Sequence, residues 1–219
     1  SGRALSSHGR GHWFKSSIAH QLPASNPRMI PAAGHPVARS IEESLQMATT
    51  LFEATAARFE QTLAATAAFL EKGRAHCEEQ GLDLAEVVET RLHPDMLPLR
   101  FQIVATAHHG AGALASAQSG EFAPPPPSDG MDFAALQQCV ADALAQVRAV
   151  DAASLNALEG DDLIFKLGEQ QIPFTVGDFL LSFSIPNFYF HATTTYDILR
   201  QLGAPVGKRD FLGRMLIKR

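Results

Sequence analysis

Four residues carry most of the polar chemistry placed inside the apolar segments of this chain: Asn187, His191 and the adjacent pair His108 and His109. Asn187 and His191 are four apart, so on a helix they share one face. A histidine in the apolar-aromatic run Phe188-Tyr189-Phe190-His191 has three uses: metal ligand, general acid or base, or hydrogen-bonded core group. Asn187 could orient that histidine or a ligand, or could bond internally. His108 and His109 are neighbours and diverge by about 100° around a helix, so only one of them can face a bundle axis. The sequence leaves open which.

The elements that must position these groups are helices. Phe52, Ala56, Phe59, Leu63, Ala67 and Leu70 step by three or four, which predicts a helix over residues 42–79 that stops at Gly81. A short helix is expected from Leu84 to Thr90, then a turn with Asp95 as candidate N-cap. A second long helix runs from Leu97 to Gln118. Gly110 and Gly112 inside it predict close approach of a neighbouring helix. Pro124 to Pro127 make an extended linker. Phe133, Leu136, Val140, Leu144 and Val147 mark a third helix. The period then switches to two over Leu163 to Leu167 and Gln171 to Thr175, a β-hairpin. The last long helix spans Val176 to Gly203 with Pro186 at the head of its polar stretch. The fold class expected is all-α: a four-helix bundle with a small β-hairpin between helices three and four.

The chain has 219 residues, 46% of them hydrophobic, enough for a well-buried core. Residues 1–46 are rich in Gly, Ser, His, Arg and Pro and show no apolar period, so they read as a flexible or peripheral N-terminal extension to a bundle domain over 47–219. That arm also has the acid-poor, Arg- and Ser-containing character of an organelle transit peptide, the alternative to a cytoplasmic chain. Of the 18 basic residues five lie in the first 41, where no acid occurs, so the rest carries 13 against 23 acidic. Such an acidic body excludes a nucleic-acid surface, and no apolar run reaches membrane-span length. Cys77 and Cys139 are expected as unpaired packing thiols.

Thr50-Leu51-Phe52-Glu53-Ala54-Thr55, Arg91-Leu92-His93-Pro94-Asp95-Met96-Leu97-Pro98-Leu99, Pro186-Asn187-Phe188-Tyr189-Phe190-His191 and Gly207-Lys208-Arg209-Asp210-Phe211-Leu212-Gly213 form a series. In that order they resemble the blocks of a family of bacterial and fungal proteins of unknown function within the DinB-like superfamily. The resemblance runs from about residue 47 to 213. It implies a DinB-like bundle, often a homodimer. Better-known relatives are metal-dependent, some of them thiol-dependent transferases or isomerases. Their metal is held by one histidine of the second helix and a His-x-x-x-His pair of the fourth. Here that pair reads Asn187-x-x-x-His191, so an amide replaces one ligand. The resemblance leaves His191 with His108 or His109 as ligands for zinc or nickel, if a metal is bound; no cofactor is expected.

Other motifs fail. Gly110 to Ala115 mimics a dinucleotide fingerprint but lies within a helix with no strand before it. No Glu-x-x-His occurs, so a di-iron site is unsupported. Three functions stay open. One is a small-molecule-binding protein or cofactor-independent enzyme using Asn187, His191 and one of His108 and His109. The second is a divergent metalloenzyme of the transferase, isomerase or hydrolase kind. The third is a structural or interaction module.

Overall fold

The computed structural model describes residues 49–218, so the extension expected over residues 1–46 lies outside the described residues. The first turn, α1 (Leu51–Ala54), is closed by a capping box between Thr50 and Glu53. The helix then breaks at Thr55, whose hydroxyl donates to the Leu51 carbonyl at 2.6 Å, and resumes as α2 (Ala56–Glu79). The single helix expected up to residue 79 is therefore divided. α2 stops as predicted: Gly81 turns left-handed (φ 69°) and the Leu82 amide donates to the Cys77 carbonyl at 2.9 Å.

α3 (Leu84–Val87) is capped by Asp83. Asp95 does not cap the next helix. Pro98 holds the N-cap position of α4 (Leu99–Ala107), and the Asp95 carboxylate meets Nδ1 of His93 at the surface instead. α4 continues into a π-helical stretch, His108–Gly112, and then into α5 (Ala113–Ser119). The expected close approach is seen at Gly110, where a Cβ would lie 3.1 Å from Phe188 and 3.3 Å from Leu63. Gly112 instead makes room for the ring of His108, 2.9 Å from where its Cβ would stand. Past the prolines, Arg100 anchors the loop through Ser128 (3.0 Å) and Asp129 (3.2 Å). α6 (Phe133–Arg148) begins at the Asp132 cap and buries Phe133, Leu136, Val140 and Val147. α7 (Ala152–Ala157) leads to the hairpin.

β2 (Asp162–Leu167) pairs antiparallel with β3 (Gln170–Thr175) around Gly168, and Leu163 and Phe165 point inward. A third strand, β1 (Glu121–Phe122), joins β2 in parallel, Phe122 opposite Phe165. Two residues are too few to show a period of two, so this strand is not legible in the sequence.

The last run comprises α8 (Val176–Asp178), a second π-helical stretch at Phe179–Ser184, and α9 (Ile185–Gln201). A proline inside a helix lacks the amide hydrogen and crowds the carbonyl four residues back. The wider π-turn stands immediately before Pro186 and takes up that conflict. α10 (Lys208–Leu212) folds back on α2 through the Lys72–Asp210 ion pair and Phe211 against Phe69, and the Tyr196 hydroxyl donates to the Val206 carbonyl at 3.3 Å. The described residues are thus mostly helical with one small sheet. α2 packs on α6, α6 on α4, α4 on α9, and α9 on α2. No helix among the described residues is long and apolar enough to cross a membrane.

Candidate functional site

The α4–α9 contact brings the two helices' histidines together. The buried polar residues of the second helical run are Gln102, Thr106 and His109, spaced i, i+4 and i+7. That spacing is one helix face. His109 therefore turns inward, only 1% exposed, and its ring stacks on His191 of α9 with centroids 5.7 Å apart and planes 12° apart. His108 turns away, half-buried, with Nε2 on the Ala123 carbonyl at 2.8 Å. Of the four predicted residues the structure brings two face to face, His109 and His191.

His191 is tied to Gln102, not to Asn187. Its Nδ1 lies 2.7 Å from Gln102 Oε1, and the same amide's Nε2 donates to the Leu97 carbonyl at 2.9 Å. Asn187 sits one turn before His191, but its amide nitrogen donates to the Phe183 carbonyl at 2.7 Å. That carbonyl belongs to the second π-stretch, so Asn187 serves the local backbone. The two π-stretches also meet directly: the buried Ser184 hydroxyl donates to the His109 carbonyl at 2.6 Å.

Both ring nitrogens of His109 are buried and have no hydrogen-bond partner among the described residues. Most buried polar groups in proteins are paired, so such an atom requires an explanation. The walls are aromatic. Phe122 and Phe183 lie 5.5 and 5.7 Å from the His109 ring, and Phe101 and Phe190 present edges to His191 at 5.8 and 5.2 Å. β1 supplies Phe122 and so ties the sheet to the histidines. Burial, then the neighbouring His191 and His108, pushes the His109 pKa down to about 2. Burial pushes His191 down to about 4. His108 is lowered by burial, against the opposing bond to the Ala123 carbonyl. All three imidazoles are therefore neutral at neutral pH, and the pair can donate and accept hydrogen bonds without carrying charge.

Clefts among the described residues also lie elsewhere. One of about 480 Å³ is lined by Leu84, Val88, Gly130 and Phe133. Another, about 510 Å³, touches His108, Cys139 and Asp142. Cys139 there is no activated nucleophile, because burial and then Asp142 push its thiol pKa up. Both cysteines are free thiols.

Gln102, Phe101, Phe122 and Phe183 were not singled out as site residues from sequence. Gln102 carried a usable signal, a polar residue on the apolar face of its helix, in register with His109 and not with His108.

A three-histidine metal site does not fit this donor set. Among the described residues no group of three or more His, Cys, Asp or Glu side chains comes together as a metal-holding cluster. At the position of the missing histidine, Asn187 spends its amide nitrogen on a backbone carbonyl, and Nδ1 of His191 is already taken by Gln102.

The mostly helical fold with its small sheet is that of the DinB-like superfamily. A crystal structure of a DinB family member protein from Shewanella denitrificans superposes with a TM-score of 0.65 and is 27% identical, covering 77% of this chain and 95% of that one. The chain belongs to the family described as Domain of unknown function (DUF1993), which matches residues 51–212. Comparison with curated proteins gives no match.

Proposed function

We propose that this chain is a small-molecule-binding protein, or an enzyme that needs no metal, built as a DinB-like four-helix bundle around His109, His191 and Gln102. One observation carries this reading: among the described residues His109, at 1% exposure against a second imidazole, has no partner for either ring nitrogen. Each unsatisfied buried group costs about 1–3 kcal/mol. A purely structural residue here would be apolar, or would be satisfied as Gln102 is. A ligand bringing polar atoms to His109 and apolar surface to Phe122 and Phe183 would relieve the cost. Acid–base chemistry on such a ligand would begin from the same binding step. The homodimer expected from the resemblance belongs to the same proposal and is supported by Leu181 and Phe190, which stand 45% and 55% exposed.

The test is a fragment screen by thermal shift on the wild-type chain, His109→Phe and His191→Asn. A ligand at about 100 times its Kd stabilises by about 2.7 kcal/mol. Hits that stabilise the wild type and neither variant support the site. Hits that stabilise all three chains equally would overturn it.

A further inference from the structure

We propose that Gln102 is a positioning residue. It holds His191 in a single tautomer, with the proton on Nδ1, so that Nε2 offers a bare lone pair to a hydrogen-bond donor on the ligand. The inference rests on the binding reading above and names the polarity of the group that the ligand must bring to His191.

The orientation follows from what each atom is able to do. A side-chain amide has one donating and one accepting end. The Leu97 carbonyl only accepts, so the Gln102 nitrogen must face it, at 2.9 Å. That turns Oε1 toward Nδ1 of His191, at 2.7 Å. Oε1 also only accepts, so Nδ1 must carry the hydrogen. A neutral imidazole has one N–H, so Nε2 has none.

The amide is held firmly. Gln102 is 2% exposed, and its backbone is tied as well, since the Gln102 main-chain carbonyl accepts the Thr106 hydroxyl at 2.8 Å. Phe101 and Phe190 set their edges against the His191 ring at 74° and 84°, and His109 lies across its face. The ring has little freedom to flip and swap its nitrogens. His191 is half-buried, so the ring is not sealed off. A hydroxyl or N–H group on a ligand suits a lone pair there; an anion would meet it with like polarity.

The experiment reads tautomers directly. The full chain is labelled with ¹⁵N-histidine, and two-bond ¹H–¹⁵N correlation at neutral pH identifies which nitrogen bears the proton. The His191 signals are assigned by their loss in His191→Asn. In the wild type, Nδ1 should be protonated and Nε2 bare. Gln102→Glu keeps an acceptor oxygen and should keep the proton on Nδ1. Gln102→Leu removes the acceptor and should move a major share of the population to Nε2–H. A wild-type His191 protonated on Nε2 overturns the proposal, and so does an unchanged pattern in Gln102→Leu. If Gln102→Leu does not fold, the wild-type spectrum still decides.

Phenol and anisole share a ring, but only phenol has an O–H. Millimolar phenol should move the Nε2 resonance, and anisole should not. Equal shifts, or none from either, overturn the donor rule. The tautomer is visible without any ligand. A locked tautomer combined with a failed fragment screen would therefore sink the binding reading alone and leave Gln102 as a packing partner.

Discussion

Replacing His109 with Phe should make the protein both more stable and less sensitive to acid. A neutral imidazole buries one N–H and one lone pair, and neither has a partner among the described residues. Removing two such groups relieves about 2–6 kcal/mol, at about 1–3 each. Phenylalanine keeps a ring among Phe122, Phe183 and His191 but is larger, and overpacking costs about 1–3 kcal/mol. Taken at their midpoints, the two leave a net gain of about 2 kcal/mol, and each kcal/mol moves the Tm of a chain of this size by about 2–4 °C.

The pH dependence provides the sharper reading. His109 has a folded pKa of about 2 against an ordinary 6.5. As pH falls the unfolded chain takes up the proton first, so stability is whole above about 6.5 and is lost on the way down toward 2. At 1.36 kcal/mol per pH step, the loss between about pH 7.5 and 5 integrates to about 2 kcal/mol for this one group. His191, with a folded value of about 4, and His108, also lowered, add to the loss in the same window. The difference between wild type and His109→Phe isolates the His109 share. Urea unfolding at several pH values measures it, with m confirming that the unfolded state is unchanged. If His109→Phe proves less stable than wild type at pH 7.5 and shows the same acid slope, the two nitrogens are satisfied after all and the site becomes packing.

Ser184→Ala removes the buried bond to the His109 carbonyl and should cost about 1–3 kcal/mol in urea unfolding, with the far-UV circular dichroism unchanged. Gly110→Ala places a methyl against Phe188 and Leu63 and should cost about 1–3 kcal/mol, read as a lower Tm. Elemental analysis of protein purified without a metal column should find zinc and nickel well below one per chain; one tightly held ion per chain would revive the metalloenzyme reading. Sedimentation at micromolar concentration should show a dimer, and a monomer there would remove that part of the proposal.

Much of the fold was legible because apolar stripes and stop signals were strong. Gly81, the hairpin around Gly168 and the stripe from Phe133 to Val147 all stand where the periods placed them. What the period does not register is a π-turn. A widened turn takes up about one extra residue but leaves the run apolar, so Phe179 to Ser184 reads as ordinary helix. The site was half legible for the same reason. The four-residue spacing of Asn187 and His191 did put them on one face, but spacing says nothing about a free carbonyl nearby that competes for the amide. The choice between His108 and His109 was open from the pair alone. It was decidable by continuing the face back to Thr106 and Gln102.

The local irregularities of the chain converge on one place. A proline inside a helical run, two π-stretches and an orphaned buried imidazole each cost stability, and each could be avoided by an ordinary helix-forming or apolar residue. They are joined by the hydrogen bond from Ser184 to the His109 carbonyl. Around them the packing is regular, with Phe59, Leu63, Leu99, Ile103 and Phe188 fully buried. Proteins break local rules mainly where function requires it. A module that used these helices only for packing would gain by straightening them and by filling position 109 with carbon. A binding site gains from the opposite, since a widened turn changes which side chains reach the interior. The clustering of costs at His109 and His191, more than the presence of two histidines, is what favours a site over a scaffold.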